Sequence, residues 1–505
     1  MTKTITITGE NLRIEDVVKI ARDNYEIKLS ELAKKNISRS RKVVDKLVSL
    51  DEVVYGITTG FGSLSNVKID KEKTKQLQKN LIMSHACGVG DPFSEEVVRA
   101  IIVLRVNTFA KGYSGIRLST VNLLIEMLNK KVYPYVPSKG SVGSSGDLAP
   151  LSHIILVMMG MGECIVNGKR VNAKEELKRK KISPISLTSK EGLALNNGTP
   201  VMTAIGLLTV YDSYNVFRHS IISSCLSMEG LVARKEFLDS KVHEARPQLG
   251  QIIVAKSIRN MLKDSKLINS DLKKVQDSYS IRATPVVLGA SLDALNYVKE
   301  KVEIEINSAT DNPLIIEEKA YSAANFHGQP MALAFDFLAI ALSEIANLCE
   351  RRIARLVDSN LNEGLSSFLV KDSGVNSGFM IPQYTTAALV SENKVLSHPA
   401  SVDSIPTCAN QEDHVSMGTI SARKAKEVLD NVVRVVGIEI MIATQAVELR
   451  DKKPSSKIEE IVRVVRSCVA KLEEDRVLYK DMEKIENVIK KRSIFKKTNI
   501  EIELR

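Results

Sequence analysis

Apolar and polar positions alternate only briefly in this chain. Thr4-Ile5-Thr6-Ile7 has the two-residue period of a strand, and from there a helical period takes over. Val17, Val18, Ile20 and Ala21 begin one amphipathic segment, and Val44, Leu47 and Val48 close the next. Glycines at 56, 60 and 62 break the pattern and predict loop across 51–70. Ser94-Glu95-Glu96 then offers a cap residue and first-turn acids for a helix through Val97, Ile101, Ile102 and Leu104. A Pro/Gly/Ser-rich passage runs from Tyr133 to Pro150. Beyond it, Asn167-Gly168 between two short apolar runs predicts a hairpin.

From about residue 200 the texture changes. Apolar residues recur every 3.6 positions over 286–307, 326–357, 417–449 and 456–475, with few prolines or glycines. Helices of that length stabilise one another by packing in a bundle. The pattern therefore predicts a mainly α fold. A long-helix bundle with C-terminal helices is expected over 201–505, and a smaller mixed domain over 1–200.

Charge and composition narrow the partners. Lys+Arg 71 against Asp+Glu 60 leaves +11, but the excess is spread out. The densest runs, Lys178 to Lys181 and Lys490 to Arg492, have no interleaved aromatics, and Trp is absent, so no nucleic-acid partner is expected. The apolar run beginning at Ile154 falls far short of the ~18 residues of a membrane span, so no membrane partner is expected either. The N-terminus lacks the apolar stretch of a signal peptide. Six scattered cysteines without a C-x-x-C pair read as reduced thiols of a cytoplasmic protein.

Four polar, glycine-bearing segments do not fit a helical scaffold. Residues 140–150 read Gly-Ser-Val-Gly-Ser-Ser-Gly-Asp-Leu-Ala-Pro. A flexible loop accounts for that composition. A phosphate cradle does not, because neither G-x-x-x-x-G-K-[ST] nor a strand-borne G-x-G-x-x-G is present. A third reading is chemical. In a tightly bent loop the Gly146 nitrogen approaches the carbonyl carbon of Ser144, since glycine has no Cβ to obstruct it. Loss of one water closes a five-membered ring, and elimination of the Ser145 hydroxyl leaves an exocyclic methylene. The product is a methylidene-imidazolone, an electrophile that no ordinary side chain supplies. Spacing alone leaves loop and ring both open.

Residues 140–153 resemble the prosthetic-group loop of the aromatic amino acid ammonia-lyases. The other three segments match the same family: Tyr-Gly-Ile-Thr-Thr-Gly-Phe-Gly at 55–62, Val-Gln-Asp-Ser-Tyr-Ser-Ile-Arg at 275–282, and 401–417 with Asn-Gln-Glu-Asp-His at 410–414. Further matches lie at 191–199, 310–314 and 325–330. They run in family order from about residue 50 to 450, and are closest to the members that act on histidine.

The resemblance implies a carbon–nitrogen lyase that converts L-histidine to trans-urocanate and ammonia, the first step of histidine degradation. It implies a methylidene-imidazolone formed autocatalytically from Ser144, Ser145 and Gly146, with no external cofactor. That group captures the substrate through its amine or its ring. The resemblance also implies a homotetramer whose sites draw residues from more than one subunit. No H-E-x-x-H or clustered ligand set accompanies Asp413-His414, so no required metal is expected.

Residue by residue, Tyr55 matches the family's base, which needs nearby positive charge to work near neutral pH. Arg282 matches the carboxylate clamp, where a planar guanidinium offers two parallel hydrogen bonds. Tyr279 and Gln276 match active-site positions, and Asn197 the asparagine beside the prosthetic group. Asp147 and Phe326 match positions that form or shield that group, although Phe326 by itself reads as core. Ser84-His85 and Glu412 carry substrate choice, because His85 and Glu412 together offer partners for both imidazole nitrogens. A tyrosine or phenylalanine lyase or aminomutase would share the chemistry and lack that pair. A fumarase-like lyase would need a G-S-S-x-M-P-x-K-x-N signature, which is absent. Three departures stand out: Ser144 for the family's alanine, Val286 where glutamine is usual, and Ala323-Ala324 where glycines are usual. If Ser144 prevents cyclisation, an inactive helical scaffold remains.

Overall fold

The computed structural model describes residues 3–50, 52–64, 67, 69, 73–270 and 274–504. Part of the expected 51–70 loop (51, 65, 66, 68 and 70) lies outside the described residues. Among the described residues the chain is mainly helical, and its sheets are four two-stranded pairs.

Contacts divide the chain into two units. The first comprises Met1–Tyr211, Lys299–Asp336 and Pro399–Arg423, and the second Asp212–Val298, Phe337–His398 and Lys424–Arg505. Segments 299–336 and 399–423, expected in the helical domain, thus join the N-terminal residues.

The first unit holds all four strand pairs. Strand Thr4–Ile7 pairs in parallel with Glu26–Leu29, and Glu163–Val166 pairs antiparallel with Lys169–Asn172. The Asn167-Gly168 turn has positive φ at both residues (50° and 76°), as a type I′ hairpin requires. Helix Glu31–Ser49 starts where the Ser30 hydroxyl accepts from the Ala33 amide at 3.1 Å. Its Val43, Val44 and Leu47 pack with Ile57 and Ile315. Full burial of a side chain such as Ile57 is worth about 1.5–3 kcal/mol, and it anchors the loop that carries Tyr55. Helix Glu95–Ala110 begins after Ser94 as expected, yet the Ser94 side chain makes no capping bond. Near-complete burial from Val98 to Ala110 stabilises it instead.

Among its described residues the second unit consists of helices joined by irregular chain, with no strand pair. At its centre Arg352 and Glu439, both fully buried, pair at 2.5 and 2.9 Å, and Ser223 and Ser227 donate to the same carboxylate at 2.7 and 2.6 Å. Every oxygen of that buried charge is therefore satisfied.

The long helices are Pro200–Gly230, Thr284–Glu305, Gln329–Val357 and Gly418–Glu448. Helix Ser456–Arg466 stops nine residues short of the periodic pattern. The Arg466 guanidinium folds back onto the Val469 carbonyl, and Val469 and Leu472 are buried from irregular chain. Their spacing imitates a helix without forming one. Gln329–Val357 is long and apolar enough to cross a membrane by length and composition, although polar residues interrupt its apolar runs. Its most apolar window is 67% buried inside the protein, as in a core helix.

Glu229, also in the second unit, is buried and accepts from the Ser455 amide at 2.7 Å. Burial pushes its carboxyl up to about 7 from 4.5. A raised carboxyl pKa means the folded state holds a proton that the unfolded chain releases. The associated stability is complete below about pH 4.5 and is lost as pH rises through about 7. Glu229→Gln is therefore expected to be more stable than the parent at pH 8, by on the order of 2 kcal/mol, and no more stable at pH 4. Melting temperatures at the two pH values check this.

Candidate active site

Residues 140–147 form a bent loop in the first unit, held from three sides. The Gly328 amide donates to the Gly143 carbonyl at 3.2 Å. The Met417 amide donates to the Val142 carbonyl at 2.8 Å, and the Ser416 hydroxyl to the Gly143 carbonyl at 2.8 Å. On the third side lies Gly198. Its amide donates to the Ser145 carbonyl at 3.2 Å, and its carbonyl accepts from the Asp147 amide at 2.7 Å. Gly146 has φ +75°, and a Cβ built on it would sit 1.9 Å from the Gly198 carbonyl oxygen. No other residue fits there.

Asp147 ties the loop to the start of Pro200–Gly230. One carboxylate oxygen accepts from the Val201 and Met202 amides at 2.9 and 3.0 Å, satisfying helix-terminal donors. The other accepts from Thr419 and Ser141 at 2.5 and 3.0 Å. Burial pushes this carboxyl up, and the four hydrogen bonds pull it down. Asp147 thus joins the loop to the helix start and to Thr419.

Glu412 meets the tripeptide directly. The Ser145 hydroxyl donates to its Oε1 at 2.8 Å, and the Ser144 and Thr407 hydroxyls both donate to its Oε2 at 2.8 Å. Glu412 is placed by a tight turn in which Cys408, Ala409 and Asn410 all have positive φ (52°, 52° and 65°). Three successive non-glycine residues in that region store strain, which persists only where surroundings impose it. Thr407 and Glu412 close the turn with paired backbone bonds of 2.9 and 3.3 Å.

His85 ends helix Thr74–His85, and its Nδ1 lies 3.0 Å from the Ser84 hydroxyl. Burial lowers its pKa, while the Leu81 carbonyl and the Glu412 carboxylate act in the opposite direction. Half-buried Tyr55 accepts from the Gly62 amide at 3.3 Å through its hydroxyl. The expected positive charge is not what acts on it. Burial raises its pKa, the Gly62 bond lowers it, and Glu412 and Cys408 raise it further.

Asn197 follows helix Glu191–Asn196 and is 3% exposed, with an Oδ1 that has no partner among the described residues. An orphaned buried acceptor beside Gly198 fits a group that would lie over residues 144–146. Phe326 is partly exposed rather than core, because it lies in irregular chain ahead of Gln329–Val357. Ala323 donates its amide to Asn312 Oδ1 at 2.7 Å, and both it and Ala324 are exposed.

Gln276, Tyr279 and Arg282 form their own group in the second unit. Tyr279 is 73% exposed, Gln276 is exposed, and the Arg282 guanidinium lies 4.7 Å from the Tyr279 ring centre. Arg282 Nε is buried and has no partner among the described residues. Val286, in Thr284–Glu305, is partly buried.

The model of the aromatic amino acid lyase family matches residues 12–467. The chain belongs to this family. One relative, the histidine ammonia-lyase of Alkaliphilus oremlandii, is 55% identical over 491 residues, covering 96% of this chain and 97% of its own. Among solved structures, histidine ammonia-lyase from Trypanosoma cruzi superposes with a TM-score of 0.91 at 40% identity, over 98% of this chain and 94% of that one. Tyrosine aminomutase from Streptomyces globisporus gives 0.95 at 36% identity, over 99% and 100%. An aromatic amino acid lyase is a mainly α protein, in agreement with the helices observed here.

Several residues that contact the candidate site carry no signal in the sequence. Thr407 lies inside a matched segment, but nothing in its spacing marks it as a partner of Glu412. Thr419 and Ser141 reach Asp147 only through the folded loop. Arg105 is fully buried, donates to the Ala194 carbonyl, and is pushed down to about 10 by burial against the pull of Asp311 and Asp147. Among the described residues no three His, Cys, Asp or Glu side chains gather to hold a metal ion.

Proposed function

We propose that this chain is a histidine ammonia-lyase, deaminating L-histidine to trans-urocanate and ammonia. The observation that carries the reading is Glu412, whose carboxylate is bound by both serines of 144–146 and acts electrostatically on His85 and Tyr55. The names of the relatives at 55% and 40% identity support the choice of substrate.

In this reading Ser144, Ser145 and Gly146 condense. The Gly146 nitrogen bonds to the Ser144 carbonyl carbon, whose oxygen leaves as water. The Ser145 Cα proton and hydroxyl leave as a second water. The resulting methylidene-imidazolone supplies the electrophile that the reaction needs. Gly198 fixes the bend, Asp147 fixes the loop to the helix start, and Asn197 offers its unpartnered oxygen. His85 and Glu412 hold the imidazole nitrogens, and Tyr55 removes the β-proton.

Burial raises the Tyr55 pKa, so a cation beside it would favour its action as a base. The substrate ammonium and the partner subunit's Arg282 would supply it. The reading includes a homotetramer in which exposed Gln276 and Tyr279, with part-buried Arg282, serve a neighbour's site. Leu333, Phe337 and Ile340, exposed at helical spacing on Gln329–Val357, offer an apolar stripe for such an assembly. A fully active monomer would contradict it.

A panel of histidine, tyrosine and phenylalanine tests the substrate. Buried polar partners reject analogues that leave them unpaired, commonly by ~10⁴. Histidine is expected to exceed the other two in kcat/KM by about that factor. Comparable turnover of tyrosine would favour the aminomutase-like alternative that the second solved structure suggests.

A further inference from the structure

The two oxygens of Glu412 are held differently. Oε2 accepts from two hydroxyls, Ser144 and Thr407, each at 2.8 Å. Oε1 accepts from Ser145 alone among the described residues, also at 2.8 Å. In the maturation proposed above, Ser145 loses its hydroxyl and Oε1 loses its partner. Ser144 and Thr407 keep theirs. One oxygen therefore stays fixed while the other becomes free, 2.8 Å from where the Ser145 hydroxyl had been.

We infer that Ser144 and Thr407 are positioning residues for substrate recognition: they hold Oε2 of Glu412 so that Oε1 is aimed at an imidazole N–H of histidine. The inference rests on the histidine-lyase reading and adds two residues to its specificity machinery. A carboxylate on a flexible glutamate stem has several rotamers, and ordering it during binding costs affinity. Two charge-assisted hydrogen bonds to one oxygen order it beforehand. The strained 408–410 turn serves the same end, because it sets Thr407 and Glu412 face to face. The Ser144 hydroxymethyl, a departure from the family's alanine, thereby acquires a physical role. Its hydroxyl is 4% exposed as part of the residue and points at Glu412, so it does not obstruct the carbonyl of 144 or the nitrogen of 146 that close the ring.

The test uses the full-length assembled enzyme, with Ser144→Ala, Thr407→Val, the double variant and Thr407→Ser. Intact mass first reports whether each has lost two waters. For ring-bearing Ser144→Ala and Thr407→Val, KM for histidine is expected to rise about 5- to 10-fold, with kcat changing less than about 2-fold. The double variant should exceed either single one, and Thr407→Ser, which keeps the hydroxyl, should stay near the parent. Phenylalanine, used as a competitive inhibitor, has no imidazole for Glu412 to grip. Its inhibition constant should be unchanged in all variants.

Unchanged KM for histidine in ring-bearing variants would overturn the inference, as would an equal weakening of phenylalanine. If Ser144→Ala fails to mature, Thr407→Val alone decides, because Thr407 is outside the tripeptide. A parent enzyme at full mass and without histidine turnover would instead remove the underlying lyase reading, and the inference with it.

Discussion

Ser145→Ala is expected to fold like the parent and to lose nearly all turnover of histidine. Its hydroxyl makes one side-chain hydrogen bond, to Glu412, whose removal costs roughly 0.5–1.5 kcal/mol. Alanine has no leaving group on its β-carbon, so no methylene forms even if the backbone cyclises. Without the electrophile, acids and bases alone face a poor leaving group and a weakly acidic β-proton. Residues that act as a unit in covalent catalysis typically cost on the order of 10⁴ in kcat when one is removed. A thermal melt near that of the parent, a mass deficit of at most one water, and a turnover lower by about that factor are the expected results. A variant retaining a tenth of parental activity would contradict the role of Ser145.

Gly146→Ala should do comparable damage by a different route. The added Cβ would lie 1.9 Å from the Gly198 carbonyl oxygen and 2.2 Å from its carbon, both backbone atoms. The residue also sits at φ +75°, where a side chain is strained in any surroundings. Relief requires the 145–147 backbone to move away from Gly198, which breaks the bonds at the Ser145 carbonyl and the Asp147 amide. The loop bend that brings residues 144 and 146 together is lost with them. Expected outcomes are full mass, no measurable turnover and a destabilisation of about 2–4 kcal/mol. Unlike Ser145→Ala, this variant should melt below the parent. A Gly146→Ala enzyme that matures with the full mass deficit would show that the Gly198 contact does not set the bend.

Much of this organisation is legible in the chain itself. Local chemistry reads out well: the Asn167-Gly168 hairpin, the strand Thr4–Ile7 and the helices expected over 286–307, 326–357 and 417–449 occur close to where their periods place them, whereas that of 456–475 ends at Arg466. The segment 140–147 stands out because its glycines and serines interrupt the helical period, although spacing alone leaves plain loop and ring both open. What periodicity cannot show is which distant segments meet. Segments 299–336 and 399–423 join the first unit through contacts such as Lys190 with Asp311 and Glu412 with Ser144. Those contacts are set by packing, not by spacing.

The same limit explains particular differences. Phe326 has the composition of a core residue, yet it precedes its helix and stays partly exposed. Val469 and Leu472 continue the apolar period after Ser456–Arg466, yet the chain there is held by Gln445, whose side chain bonds the Leu472 backbone on both sides. For Tyr55, the need for a cation follows from the pKa of phenol, but within the chain burial acts on it first, opposed by the Gly62 bond and reinforced by Glu412 and Cys408. Thr407 could be found only by seeing the turn at 408–410 fold it back onto Glu412.

Intact mass spectrometry of the freshly purified, assembled parent enzyme tests the account most directly. Condensation of residues 144–146 predicts a chain lighter than its translated sequence by two water molecules, with the whole deficit in the peptide that contains Ser145. A full-mass chain that nonetheless deaminates histidine would contradict the account, because the reaction would then proceed without the group that the loop is built to form.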